Sequence, residues 1–509
     1  MAAPPRTWWW WERLLGRDHR LARERALRSA GAAAGGRPGL PEDGLLPGDL
    51  RDGTRNSWLP HDWRFRYRPR PGQILFTFPR GKVVGGSSAV NTCIALRGLP
   101  YDYDEWAERG LPEWSFAHCL PYFVRLEDDR DFDTPYHGKG GPVPIRRHGP
   151  GELVPWQAAF VDAARSLGYP ACPDTNDPNT RGGVGPHAMN KVDGVRMSTA
   201  RCYLGPSVRA RDNFTLQAGT LVRRVLFDGK KVSGLEVERD GVVLVVRTTK
   251  VVLSGGAIAT PGILLRSGVG PREQLARLGV PLVSDVPAVG ARLLDHPGAA
   301  IILRARWRAS TLQSPLIQTV LRYTSKNSPF PNDMQVQPGS FLPLHPRIIL
   351  PTFTMMCCIG KPRGQGTIHW RSADPHARPE MHAGMLVDKE DHARAVEALQ
   401  VAYECARTPE MRKLAGFFWP NERTLAKAAD LGTWIYKACG SGYHPCGTVP
   451  MGPEGAVDAA VDSRGRVRGV EGLTVADASI FPTVPSANTN LTALMVGERF
   501  GEWLREGQA

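Results

Sequence analysis

The chain has 509 residues, 42% hydrophobic and 22% charged, enough to bury a sizeable core in two or more domains. It contains no run of about 18 apolar residues and no apolar stretch followed by a small-residue cleavage site, so neither a transmembrane helix nor a secretory leader is expected. The formal net charge is +14, of which residues 1–80 supply +7 through 15 Arg, no Lys and 8 acidic residues; no nucleic-acid-binding motif accompanies this excess, and no nucleic-acid partner is expected.

Residues 1–60 are rich in Arg, Ala, Gly and Pro and show no apolar period, and the four tryptophans Trp8 to Trp11 run directly into charges. From Asp62 the texture is that of a folded protein. Residues 80–92, Arg-Gly-Lys-Val-Val-Gly-Gly-Ser-Ser-Ala-Val-Asn-Thr, predict a Gly/Ser loop leading into a helix. Its glycines let backbone N–H groups approach a phosphate or a flavin ring closely, although such a loop is also an ordinary turn. Residues 214–254 predict a meander, with strands over 214–227, 232–238, 242–248 and 250–253 and Asp-Gly turns at 228–229 and 240–241. Ser254-Gly255-Gly256-Ala257 then leads into a helix over 260–267, a strand–Gly–helix junction of the kind that holds dinucleotides in α/β folds. Residues 298–441 carry no sharp catalytic pattern; Trp307, Phe341, Phe353, Met355, Met356, Phe417, Phe418 and Trp419 read as core. Nine cysteines, an odd number with no CxxC, fit reduced thiols and a cytoplasmic location.

The C-terminal end carries the sharpest signal. Residues 440–452 read Gly-Ser-Gly-Tyr-His-Pro-Cys-Gly-Thr-Val-Pro-Met-Gly, and Val475-Ala476-Asp477-Ala478-Ser479 and Ala487-Asn488-Thr489-Asn490 follow. A histidine in a Gly-rich loop can take a proton near neutral pH, and a returning asparagine can hydrogen-bond a substrate hydroxyl or alkoxide.

This order and spacing resemble the glucose–methanol–choline (GMC) flavoprotein oxidoreductases over roughly residues 62–509. Residues 80–91 resemble the family's first fingerprint and residues 256–270 its second. Gly290-Ala-Arg-Leu-Leu-Asp295-His296-Pro297 resembles its Gly-x-x-Leu-x-Asp-His-Pro segment, and Tyr136-His137-Gly138 with Gly141-Pro142 is also similar. The resemblance implies an α/β fold: a doubly wound FAD-binding domain over 1–150, 188–297 and 442–509, and an α+β substrate domain over 151–187 and 298–441 built on an antiparallel sheet. It places His444 as catalytic base and Asn488 as its partner. It places Val84, Gly85, Ser87, Asn91 and Thr92 at the flavin, the Val222 backbone at the adenine, Asp477 and Ala478 near the pyrophosphate and ring, and Thr489 near the flavin. Val90 stands where some members carry a flavin-linked His, so the FAD is expected to be non-covalent. The implied reaction is oxidation of a small alcohol to an aldehyde or ketone by hydride transfer to flavin N5, with oxygen, a quinone or a carrier as electron acceptor. A hydroxynitrile lyase of the same fold and a remnant that binds no FAD are the alternatives.

One part of the family pattern is missing: no strand–Gly-x-Gly-x-x-Gly–helix segment precedes residue 80, and Ala30 to Gly36 has neither the strand nor the spacing. Two readings account for this: a shifted reading frame before about residue 60, which is the expectation here, or a divergent N-terminus in which Trp8 to Trp11 anchor an interface or a membrane surface. Four TGG tryptophan codons followed by a Glu codon read one nucleotide later as four glycine codons, and the codons of residues 32–38 permit Leu-Leu-Leu-Glu-Ala-Gly in the same frame.

Overall fold

The computed structural model describes residues 46–57, 61–306, 314–326, 328–345, 348–350 and 352–508. The Trp8 to Trp11 run, the 30–36 segment and Trp307 lie outside the described residues, and the shifted-frame reading rests largely on them.

The Gly/Ser loop does not run into a helix. It makes one 3-10 turn, Gly86–Ala89, and the side chain of Asn91 then accepts from the Cys93 N–H at 2.9 Å, reversing the chain where a helix would have continued. Helix α1 (Pro100–Glu108) follows, with Pro100 at its first position, where no backbone donor is needed. Helix α2 (Phe116–Leu126) buries Cys119, Phe123 and Leu126, one stripe at i, i+4, i+7. Helix α3 (Pro155–Ser166) and the short strand β1 (Gly183–Pro186) come next.

Strands β2 (Thr220–Asp228), β3 (Lys231–Arg239) and β4 (Val242–Arg247) form an antiparallel meander. Asp240 and Gly241, at φ 52° and 79°, close a two-residue hairpin whose twist suits the flanking strands. Two expectations are corrected here. The first strand begins at Thr220 rather than 214, after Gly219 turns the chain at φ 71°. The fourth, β5 (Val251–Leu253), leaves the meander and pairs in parallel with residues 473–475. All three of its side chains are buried, as in a strand covered on both faces.

Helix α4 (Gly256–Arg266) begins four residues earlier than expected, because the Asp477 carboxylate accepts from the Gly256 N–H at 2.7 Å and from Thr260 Oγ1 at 2.6 Å. Pro261 inside the helix has no N–H for the Ala257 carbonyl; the Thr448 hydroxyl donates to that carbonyl instead, at 2.7 Å.

The largest sheet has seven strands. Strands β6 (Pro297–Ala305), β7 (Thr319–Tyr323), β8 (Met334–Gly339), β9 (Thr352–Ile359), β10 (Ala415–Trp419) and β11 (Gly440–Ser441) join β1 in the order β10–β6–β9–β8–β7–β1, with β11 beside β6. Every pairing is antiparallel. Successive residues face opposite sides, so Met334, Val336, Phe353, Met355 and Cys357 enter the core while Gln335, Gln337 and Thr354 lie on the other face. Helices α3 and α5 (Lys389–Ala406) cover the apolar face, and Trp156 stacks on Phe353 with ring centroids 4.2 Å apart. Phe418 and Trp419, expected in the core, are 52% and 43% exposed at the sheet edge, and Met356 is only partly buried. Strand β12 (Leu473–Val475) completes the parallel pair with β5. The last helix, α6 (Thr489–Arg505), packs on α2, where Tyr122 donates to Glu502 at 2.9 Å.

Candidate active site

The loop after β11 is turned by Tyr443, a non-glycine residue at φ 66°. Two hydrogen bonds hold it there: the Tyr443 N–H donates to Ser441 Oγ at 2.7 Å, and the Arg80 guanidinium donates to the Tyr443 carbonyl at 2.9 Å. The His444 N–H then donates to Asp295 Oδ1 at 2.8 Å. Asp295 also accepts from the His296 N–H at 2.8 Å and from the Ser441 hydroxyl. Burial pushes the Asp295 carboxyl up to about 6 against these bonds.

The His444 ring lies between two side chains. Its Nδ1 is 2.8 Å from His296 Nδ1, and its Nε2 is 2.9 Å from Asn488 Nδ2. The far nitrogen of His296, Nε2, is 2.9 Å from the Pro485 carbonyl oxygen. A Cβ on Gly442 would sit 3.2 Å from both His296 Cβ and His444 Nδ1, so the absence of a side chain there leaves the rings room. Burial, then the neighbouring His296 ring and the Arg80 guanidinium, hold His444 well below the usual imidazole range, although part of the residue is open to solvent. Burial also pushes His296 down to about 4. Both rings are therefore neutral at pH 7, the state a general base requires. Asn488 immediately precedes α6 but makes no side-chain capping bond, and its Oδ1 is buried without a hydrogen-bond partner among the described residues.

The other expected residues fall into groups around this pair. Gly85, at φ 92°, is buried, and a Cβ there would meet Ala200 Cβ at 3.0 Å. The loop is locked by Ser88 Oγ, which lies 2.9 Å from Thr199 Oγ1 and accepts from the Thr199 N–H at 3.0 Å. Val84, Ser87, Asn91 and Thr92 are partly exposed on the same loop, and Val90 is buried. Arg80 ties this loop to the His444 turn. Both carboxylate oxygens of Asp477 are occupied, by Gly256 and Thr260 on one side and the Ser479 N–H on the other. Its side chain thus fixes the turn. The Ala478 carbonyl accepts from Gly447 at 3.0 Å, and Thr489 is the first residue of α6, next to Asn488.

Val222 stands apart from the histidine–asparagine pair. It is buried in β2 and lines a cavity of about 260 Å³ with Ser254, Gly255, Ile258 and Trp370. Lys82, Arg266 and Arg378 also line this space, so an apolar floor and cationic groups share one cavity at the strand–Gly–helix junction. Asp295, His296 and Ser441 are site residues that local sequence reasoning missed. The Asp-His-Pro segment was visible, but nothing local shows that it returns to His444 across 148 positions.

A cavity at a strand–glycine–helix junction and a buried histidine–asparagine pair, in a fold of mixed helices and sheets, are the features of an α/β enzyme with room for a cofactor. Comparison gives the particular family: the sequence profiles described as GMC oxidoreductase match residues 29–298 and 362–497. The 5-(hydroxymethyl)furfural oxidase of Methylovorus sp. (strain MP688) is 34% identical over 496 residues, covering 91% of each chain. An oxygen-dependent choline dehydrogenase of Chromohalobacter salexigens is 31% identical, covering 87% of this chain and 84% of the relative. The crystal structure of pyridoxine 4-oxidase from Mesorbium loti aligns with a TM-score of 0.83 at 26% identity, covering 96% of this chain and 98% of that one. The chain belongs to the GMC oxidoreductase family, FAD-dependent enzymes that act on alcohols. No helix among the described residues is long and apolar enough to cross a membrane.

Proposed function

We propose that this chain oxidises a small alcohol to the aldehyde or ketone, using FAD held without a covalent bond. The observation that carries the reading is the pair His444–Asn488: a neutral imidazole 2.9 Å from a carboxamide whose oxygen has no partner among the described residues. His444 takes the hydroxyl proton at Nε2. Asn488 Nδ2 donates to the oxygen as negative charge develops on it, an electrostatic stabilisation that strengthens toward the transition state. FAD, when bound, supplies the acceptor for the hydride leaving the alcohol carbon.

The residues present fit that cofactor. The apolar cavity beside Val222 suits a planar base, and Lys82, Arg266 and Arg378 suit phosphate charge. The flavin ring is assigned to the Gly85 loop, whose left-handed glycine leaves backbone free to approach it, and Val84, Ser87, Asn91, Thr92, Ala478 and Thr489 are its proposed neighbours. Val90 offers no nucleophile for a covalent link. The flavin side of the molecule is assigned to 1–150, 188–297 and 442–509, and the substrate side to 151–187 and 298–441. Nine free thiols support a reducing, cytoplasmic setting.

The test is anaerobic mixing of the FAD-loaded protein with a panel of alcohols while the visible flavin band is followed. At least one alcohol is expected to bleach it, and His444→Ala is expected to slow bleaching roughly 10²- to 10⁴-fold, the usual worth of a positioned base. A band that no alcohol bleaches overturns the reading. Cyanide release without bleaching marks a lyase, and a chain that takes up no FAD marks a remnant.

A further inference from the structure

We infer that His296 is a positioning residue that fixes the tautomer of His444, leaving on His444 Nε2 a lone pair that the Asn488 amide holds until a substrate hydroxyl takes its place. The argument starts from the Pro485 carbonyl. A carbonyl oxygen only accepts, and it lies 2.9 Å from His296 Nε2, so Nε2 carries the hydrogen. His296 is buried and neutral at pH 7, so its other nitrogen, Nδ1, is a lone pair. That lone pair faces His444 Nδ1 at 2.8 Å, a contact that is favourable only if His444 Nδ1 carries the hydrogen. His444 Nε2 is then the acceptor, and the Asn488 amide at 2.9 Å donates to it. Both imidazole rings and the Pro485 carbonyl are satisfied in this one direction, and only Asn488 Oδ1 keeps no partner among the described residues. The reverse direction sets the bare Nε2 of His296 against a carbonyl oxygen in a buried site, where an unmet acceptor contact is costly.

The consequence reaches the reaction. When His444 accepts a proton at Nε2, the charge on its ring is stabilised by the Nδ1–H bond to a neutral acceptor. The other groups around the pair are Arg80 and Asp295 near His444, and Lys361, Arg322 and the Gly360 backbone near His296. Asp295 meets the backbone N–H of both residues rather than their rings, so it fixes position and leaves the tautomer to His296.

This inference rests on the proposed role of His444, but its first test needs neither cofactor nor turnover. Nitrogen-15 spectra of the histidine-labelled protein report which ring nitrogen carries hydrogen; the signals are assigned with the single variants His444→Gln and His296→Gln. At neutral pH His444 is expected to be protonated at Nδ1 and His296 at Nε2. A His444 hydrogen on Nε2 overturns the inference. The second test compares His296→Gln, whose side-chain oxygen can still accept from His444 Nδ1–H, with His296→Phe, which cannot. In the Phe variant the flavin-reduction rate should fall about tenfold with little change in KM, and the acidic limb of its pH profile should move to lower pH, since the protonated ring has lost its acceptor. The Gln variant should recover most of the rate. Equal losses in both variants with an unshifted profile would mean a purely structural role. If the tautomer is as expected but no alcohol bleaches the flavin, the positioning inference stands and the alcohol-oxidising reading falls.

Discussion

His137 shows how much charge one residue can organise away from the catalytic pair. Its Nδ1 lies 3.2 Å from Glu127 and 3.0 Å from Asp129, and its Nε2 lies 2.8 Å from Asp174. Arg97 and Arg147 complete the network, pairing with Glu127 at 2.7 Å, Asp129 at 2.9 Å and Asp174 at 2.6 Å. The arrangement could suggest a metal site, but the two guanidinium groups already occupy the carboxylates. Burial lowers the His137 pKa, yet the hydrogen bonds to Asp129, Asp174 and Glu127 win and raise it to about 10. Its folded value is therefore above its unfolded value of about 6.5, so its contribution is full below that pH and is lost as pH rises toward 10. The three carboxylates are shifted down despite burial, so theirs is full above about pH 4 and lost on acidification. Replacing His137 by Gln should cost about 3 kcal/mol near pH 6. The gap between wild-type and variant melting temperatures should narrow steadily from about pH 6.5 to about pH 10. A gap that stays constant over that range would refute the assignment of a charged His137.

Helix α4 carries a comparable lesson at the level of an element. Its Pro261 frees the Ala257 carbonyl, and Thr448, from the loop that bears His444, donates to it. A side-chain bond thus joins the helix to the catalytic loop. Thr448→Val keeps shape and removes the donor, so a buried carbonyl loses its partner at a cost of about 1–3 kcal/mol. Urea unfolding of the two proteins measures this directly; a change below about 0.5 kcal/mol would show that the carbonyl finds another donor. The elements best predicted from sequence were those with a local cause. Alternating apolar residues and Asp-Gly turns gave the hairpins of β2 to β4. What failed was decided at a distance. Strand β5 left the meander for a partner more than 200 residues away, α4 was extended by Asp477, and the Gly/Ser loop was turned back by Asn91 instead of continuing as a helix. The seven-stranded sheet was foreseen only through the family resemblance, because its strands are short apolar runs without a clear period.

At the scale of the whole molecule, the candidate site is an assembly of segments that no local window contains. His444 and Asn488 were legible because each sits in a distinctive stretch, and the structure brings them together. His296 and Asp295 were not, because their meaning depends on a fold that closes 148 positions of chain onto one ring. The proposed cofactor contacts likewise come from residues 84–92, 222, 254–255, 477–478 and 489, so one ligand would bridge segments far apart in sequence, of which 254–255 and 477–478 already meet through the β5–β12 pairing. A ligand that binds only the folded chain stabilises it by mass action, by about 2.7 kcal/mol at a hundredfold excess over Kd. Added FAD should therefore raise the melting temperature, and the rise should scale with the logarithm of FAD concentration. Denaturation should then release all of the flavin into solution, since Val90 cannot hold it covalently. His444→Ala should keep the thermal shift while losing substrate bleaching, because it removes a proton acceptor and leaves the cavity beside Val222 intact. A melting temperature indifferent to FAD would mean that this cavity and the Gly85 loop do not suffice to hold the dinucleotide without a Gly-x-Gly-x-x-Gly turn.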